Sequence, residues 1–244
     1  MLLATDLDGT FLGGTDNDRK ILYDLVRNNN DIKLVFVTGR GVAGVFDLLD
    51  SSDWLPRPEY IICDVGCTVT HYESKQPVAA IQQQIAALWP GDHIREELKV
   101  VNGLLHLDSH QQYRCSYFYD ENTDFAHASQ MAEQLACDIL LSDGKYLDFL
   151  PKGVNKGFSV LKLTQYLQIP REKVLVAGDT MNDYSMFAAG FNGVVVGESE
   201  AELVRSTAGM PHVLQSIQPG AGGILEALGK FPELAAVLGN STLK

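Results

Sequence analysis

Two aspartate-rich segments hold the residues whose types and spacing could do chemistry: Asp6-Leu7-Asp8-Gly9-Thr10 near the start and Gly178-Asp179-Thr180-Met181-Asn182-Asp183 much later. Each follows a short apolar run and is therefore expected at the tip of a buried strand. Together the tips can gather four carboxylates, Asp6, Asp8, Asp179 and Asp183, in one water-facing cluster. Like charges that close repel, and a divalent cation is the natural partner; hard oxygen ligands suit Mg2+, with waters and a phosphate oxygen completing its octahedron. One residue apart on an extended strand end, Asp6 and Asp8 point the same way. One carboxylate there can act as a nucleophile while its neighbour gives and takes protons. Gly9 permits a tight turn, and Thr10 offers a hydroxyl and an amide. Taken alone, an Asp-x-Asp pair is equally an Asx turn at a strand end. Asn182 and Asp183 alone are equally a helix cap and an acid favoured by the helix dipole. The second acidic tip in the same chain is what favours chemistry over these plainer readings.

An anion site also needs donors. Thr38-Gly39-Arg40 supplies a hydroxyl, unshielded amides and a guanidinium at a third strand end. Lys156, in Asn155-Lys156-Gly157, opens a predicted helix, where the dipole disfavours a cation. Its position suits a phosphate or Asp6 better than it suits the helix; the alternative is a solvated surface lysine.

The elements that must position these groups are short apolar runs reading as parallel strands at 2–5, 34–37, 60–63, 174–177 and 194–196. Segments of helical spacing lie among them at 20–28, 42–49 and 158–167. The alternation predicts an α/β fold, a Rossmann-like parallel sheet with helices on both faces and its site at the carboxyl ends of the strands. The loops beginning at Asp6, Thr38, Asp64 and Gly178 would then share one rim. From about residue 74 to 149 the rhythm changes: helices are expected at 78–88 and 125–135, and strands at 100–107, 113–119 and 138–142. That pattern predicts an inserted α+β cap at 74–149 within a core of 1–73 and 150–244, with hinges near 72–76 and 149–152. Residues 239–244 read as a frayed tail.

A formal net charge of −12 weighs against a general nucleic-acid or anionic-membrane surface. With no apolar run long enough to span a bilayer and no secretory signal at the start, a cytoplasmic protein is expected, acting as a monomer. Cys63, Cys67, Cys115 and Cys137 lack CxxC spacing and are expected as reduced thiols rather than a zinc site.

The four segments, in this order, resemble the haloacid dehalogenase superfamily of phosphohydrolases: DxDGT, a strand-end Thr, a Lys, then GDxxND. The insert is similar to a type IIB cap. Asp64-Val65-Gly66-Cys67-Thr68 and the run Lys145-Tyr146-Leu147-Asp148-Phe149-Leu150-Pro151 look like the sucrose-phosphate phosphatase subgroup, a pattern that mannosylfructose-phosphate phosphatases largely share. The resemblance implies Asp6 as nucleophile, Asp8 as general acid and base, and Thr38 and Lys156 on the phosphoryl group. It implies Mg2+ held by Asp6, the Asp8 carbonyl and Asp179, with Asp183 supporting from behind and Asn182 orienting its neighbours. Thr10, Gly39 and Arg40 are expected at the substrate. Arg114, Tyr113, Tyr117, Lys145 and Asp148 are the cap candidates for sugar hydroxyls, the tyrosines having core packing as their alternative. The implied substrate is a small phosphorylated sugar, sucrose-6-phosphate first, then mannosylfructose phosphate or a hexose phosphate. A sugar phosphomutase and a non-catalytic sugar-phosphate-binding protein are the competing readings.

Overall fold

Leu2–Thr5 shows why a strand forms at the start of the chain: its alternate side chains enter two different apolar clusters. Leu3 packs with Leu34, Phe36, Ile61 and Leu175, whereas Leu2 and Ala4 pack with Val35, Val37, Ile62 and Val176. Two-fold alternation between two dry faces is what a strand covered on both sides requires. The computed structural model describes residues 1–107, 111–142 and 144–239. The tail expected at 239–244 lies, beyond its first residue, outside the described residues.

In chain order the strands are β1 (Leu2–Thr5), β2 (Lys33–Val37), β3 (Tyr60–Cys63), β4 (Thr68–His71), β5 (Leu105–Leu107), β6 (Cys115–Phe118), β7 (Cys137–Ser142), β8 (Tyr146–Pro151), β9 (Val174–Gly178), β10 (Asn192–Gly197) and β11 (Val213–Pro219). The helices are α1 (Asp16–Asn28), α2 (Val42–Asp50), α3 (Ala79–Leu88), α4 (Ile94–Glu97), α5 (Phe125–Gln134), α6 (Lys156–Tyr166), α7 (Tyr184–Ala188), α8 (Ala201–Thr207), α9 (Ala221–Lys230) and α10 (Pro232–Gly239). Seven strands form one sheet in the order β11-β10-β9-β1-β2-β3-β4, parallel except for β4, which returns antiparallel along β3. Side chains of α1, α2, α9 and α10 cover one face; those of α3, α6, α7 and α8 cover the other. The chain winds outward from β1 in both directions, so the switch point of the sheet lies beside β1, where open α/β sheets place their ligands.

A second sheet, antiparallel in the order β5-β6-β8-β7, has its own cluster built from Ile94, Leu98, Tyr117, Met131, Leu147 and Phe149. α3 falls inside the expected insert, yet its Ile81 and Ile85 pack with Val69 and Val160 against the seven-stranded sheet. The small sheet's own cluster begins at Ile94.

The strand expected at 100–107 is cut short. Leu98–Val100 is a helical turn, Val101 anchors it in the small cluster, and only Leu105–Leu107 pairs as strand. Asn102-Gly103 makes the break: Gly103 has φ +78°, and a Cβ there would meet Thr123 Cα at 2.5 Å. β4, β8 and β11 were not anticipated as strands. β11 is an edge strand with polar side chains and Ile217 turned to solvent, so it lacks the apolar run that marks its neighbours. Among the described residues no helix is long and apolar enough to cross a membrane.

Candidate active site

Four strand tips meet on one rim. Asp6 follows β1, Thr38 follows β2, Asp64 follows β3 and Asp179 follows β9. The Asp6 amide donates to Ala177 O at 2.9 Å, which ties the first tip to the last. Beyond Asp6 the chain turns sharply, with Asp8 extended and Gly9 at φ +79°. Gly9 is required twice over, because a Cβ there would also lie 2.3 Å from Asp179 Oδ2. Thr10, expected at the substrate, is buried and its hydroxyl donates to Asp179 Oδ1 at 2.8 Å. It therefore orients a carboxylate.

Lys156 is fully buried at the first position of α6, behind Asn155, whose side chain caps the helix by accepting from Phe158 N. Its Nζ donates to Asp6 Oδ1 at 2.7 Å and to Asp183 Oδ1 at 2.6 Å. Asp183 Oδ2 accepts from the amides of Asp179 and Thr180 at 3.0 and 3.1 Å. Both Asp183 oxygens are thus engaged, and the residue braces its own loop as well as the lysine. A Cβ on Gly178 would sit 2.4 Å from Asp183 Cγ, so the glycine is what lets this brace come close.

The Thr38-Gly39-Arg40 loop is held by its carbonyls. Val65 N donates to Thr38 O at 3.1 Å, Asp64 N to Arg40 O at 3.0 Å, and Arg114 Nη1 to Gly39 O at 2.8 Å. The Thr38 hydroxyl accepts from Arg40 N at 3.1 Å, leaving its proton to donate. A Cβ on Gly39 would meet nothing nearer than Val65 Cγ2 at 3.9 Å, and its φ is not positive. Neither backbone nor packing needs a glycine there. The missing side chain keeps the cleft open beside a backbone amide, which is the shape of an anion cradle. Asp64, Val65 and Gly66 in turn have φ of +53°, +56° and +105°, rare for the β-branched Val65 and so a point of backbone strain at the site.

A cleft of about 580 Å3 lies between this rim and the small sheet. Asp6, Asp8, Thr38, Gly39, Arg40, Arg114 and Asn182 all line it. Arg40 grips Asp8 with Nε and Nη2, at 2.8 and 2.6 Å. Arg114 is mostly spent: Nε and Nη2 go to Asp148 at 2.9 and 2.8 Å, besides the contact to Gly39. Asp148 is fully buried, and Tyr117 packs in the small sheet's cluster, so neither faces the cleft as a free hydroxyl partner. Lys145 is exposed with its Nζ 4.9 Å from the Tyr146 ring centroid, outside the lining. Tyr113 is half-buried and packs at the edge of a core cluster.

Several lining residues escaped the sequence reading, among them Gln111, Ser142, Tyr146 and Glu200. Glu200 follows the tip of β10 and accepts from Met181 N at 2.6 Å, fixing the second acidic loop. The strand-tip rule that picks out the other four loops points to this one as well.

Burial pushes the Asp6 carboxyl up to about 8 against the pull of Lys156, with Asp183 adding to the rise. Burial and then Asp183 raise Asp179 to about 6, opposed by the Thr10 hydrogen bond. Burial alone would lower Lys156, but Asp183 and Asp6 outweigh it and hold the ammonium above its ordinary value. The carboxyl rises share a first cause in burial; Lys156 Nζ is bonded to Asp6 and Asp183, and Asp179 lies outside that pair of bonds. Asp6, Asp179 and Asp183 each offer an oxygen within 4.8 Å of the others, and the Oδ1 of Asn182, the residue before Asp183, is buried without a partner. An all-oxygen donor set with surplus negative charge fits Mg2+.

A parallel sheet with acidic tips at its switch point, a buried lysine and an inserted antiparallel sheet define a chain of the haloacid dehalogenase superfamily. Residues 1–232 match the model of the sucrose-6F-phosphate phosphohydrolase family, to which the chain belongs. It is 45% identical over 232 residues, 95% of this chain, to a glucosylglycerol-phosphate synthase of Pseudomonas anguilliseptica, of whose length it spans only 31%. It is 31% identical to the mannosylfructose-phosphate phosphatase of Agrobacterium fabrum, covering 93% of this chain and 95% of that one. Among solved structures, the sucrose-phosphatase of Synechocystis sp. PCC6803, in complex with sucrose and phosphate, superposes with a TM-score of 0.83 at 25% identity, over 95% of this chain and 97% of the other.

Proposed function

We propose that the chain is a Mg2+-dependent phosphatase of a phosphorylated glycoside, acting through an aspartyl-phosphate on Asp6. The observation that carries this is the pairing of a buried, lysine-held carboxylate with an open glycine amide across one cleft. Asp6 attacks phosphorus, and the ester bond to the sugar oxygen breaks while Asp8 gives that oxygen a proton. Asp8 then takes a proton from a water that attacks the aspartyl-phosphate, releasing phosphate and restoring Asp6. Thr38, the Gly39 amide and Lys156 stabilise the equatorial oxygens during both in-line displacements. Asp6, Asp179 and the Asp8 carbonyl would hold Mg2+, which supplies neutralising charge for the phosphoryl group when bound. Asp183 braces Lys156 and the second acidic loop. The small sheet serves as the cap over the sugar, and the four cysteines, all free thiols, suit a reducing cytoplasm.

For the sugar, we place glucosylglycerol phosphate first, because the relative with 45% identity is named for making it. The small-sheet side of the cleft is mixed, with Leu107 and Leu141 beside Gln111, Ser142 and Tyr146, and with Arg114 bound to Asp148 and Gly39. Sucrose-6-phosphate is the second reading, supported by the family match and by the sucrose in the Synechocystis complex. Phosphate release from both, and from mannosylfructose phosphate and hexose phosphates, is the test. Glucosylglycerol phosphate should give the highest kcat/KM, and a higher value for sucrose-6-phosphate would reverse the order. Turnover that survives chelation, or persists in Asp6→Ala, would sink the mechanism; phosphate moved to a second hydroxyl with none released would mark a mutase.

A further inference from the structure

Arg114 immediately precedes β6 of the small sheet, yet one of its three polar contacts reaches the core. Nη1 donates to Gly39 O at 2.8 Å, while Nε and Nη2 lie on Asp148 of β8. The guanidinium is nine-tenths buried and the Asp148 carboxylate completely so. Such a pair is poor value as a stabiliser, since desolvation cancels most of the attraction. Its geometry gives it another use. A carbonyl held on one side turns its peptide plane, and the plane ending at Gly39 O begins the amide of Arg40, whose N–H is fixed on Thr38 Oγ1. The neighbouring carbonyls of Thr38 and Arg40 are held from within the core by Val65 N and Asp64 N. Only the middle one, at the open glycine, is held from the cap.

We infer that the Arg114–Asp148 pair is a positioning device: docking of the cap on the core sets the Gly39–Arg40 peptide and, through the Arg40 amide, the Thr38 hydroxyl, so the phosphoryl cradle is complete only when the cap is seated. Asp148 aims the guanidinium, and Arg114 carries the contact. The residue is then not the sugar hook expected from its motif. This rests on the phosphatase reading above, which makes the Thr38-Gly39-Arg40 loop the cradle.

The test is the full-length protein with Mg2+, titrated calorimetrically with inorganic phosphate, which carries no sugar and so reports on the cradle alone. Replacing a buried ion pair by apolar residues of similar size commonly preserves or raises stability. The double variant Arg114→Met with Asp148→Leu should therefore melt at or above the parent temperature yet bind phosphate about tenfold or more weakly, the loss expected for a charged hydrogen bond. Asp148→Asn keeps the shape and loosens the aim; it should show a smaller loss in the same direction and covers the case where the double variant fails to fold. Either folded variant binding phosphate as tightly as the parent overturns the inference. A parent that neither binds phosphate nor releases it from a sugar overturns the functional reading with it.

Discussion

Arg40 closes on Asp8 with two parallel contacts, Nε to Oδ2 at 2.8 Å and Nη2 to Oδ1 at 2.6 Å. Both carboxylate oxygens are occupied by a guanidinium at the edge of the cleft, and the Asp8 side chain is 56% exposed. The group proposed to move protons thus rests on the cation proposed to meet the substrate. An arriving phosphate ester competes for the same guanidinium fork, and that exchange would free Asp8 to turn toward the leaving oxygen.

Asp8→Asn should separate chemistry from folding. An exposed pair contributes about 0–1 kcal/mol, so urea unfolding should show a change within about 1 kcal/mol. Steady-state kcat should fall by roughly two to four orders of magnitude, the usual contribution of a general acid and base. A large stability loss with retained turnover would contradict the assignment.

Lys156→Met should do the opposite to the fold. It leaves Asp6 and Asp183 buried without their shared cation, at a cost of about 3–5 kcal/mol in urea unfolding. Adding Asp6→Asn to the same chain should recover part of that cost, because the uncompensated charge is then smaller.

Mg2+ should stabilise the protein more as pH rises. Asp6 and Asp179 titrate higher in the folded chain than their ordinary value of 3.8. Between that value and the raised ones, the metal-free folded state binds more protons than the unfolded state, so its stability falls with rising pH. A cation displaces those protons and competes best where they are already gone. The gain in melting temperature on adding Mg2+ should be larger at about pH 9 than at about pH 5. An equal gain at both would remove Asp6 and Asp179 from the metal site.

Gly39→Ala and Gly66→Ala should part company. At Gly39 the methyl group meets nothing closer than 3.9 Å, so thermal stability should stay within about 0.5 kcal/mol while KM for the sugar phosphate rises. At Gly66 it would lie 2.3 Å from Asn155 O at a φ of +105°, and unfolding should show a loss of about 2 kcal/mol or more.

Strand tips were legible in the chain because a buried parallel strand must be a nearly continuous apolar run, so the polar residue that ends it announces the rim. Asp6, Thr38, Asp64 and Asp179 all follow such runs. Contacts that depend on partners far apart in sequence were not legible. Nothing in the spacing says that the Thr10 hydroxyl goes to Asp179, that Arg114 faces Asp148 and Gly39, or that Lys145 lies over Tyr146. The small sheet was harder to read than the large one because its strands share no single pattern: β6 and β8 are buried almost throughout, β7 and β5 are largely half-buried or exposed, and a turn at Asn102-Gly103 interrupts the one that looked longest. Gln111 lines the cleft from a position shortly before β6 that belongs to no helix or strand, where no periodicity gives a side chain an address.

The small sheet keeps an apolar cluster of its own, separate from the two that sandwich the large one. Selection can therefore rework its surface, exchanging Leu107, Leu141 or Ser142 for side chains suited to a different glycoside, without repacking the layers that hold Asp6 and Lys156. A laboratory wishing to redirect such an enzyme inherits the same freedom. Diversity introduced at those cleft-facing positions, with Arg114 and Asp148 kept, would sample new specificities, while the phosphorus chemistry next door is left as it was.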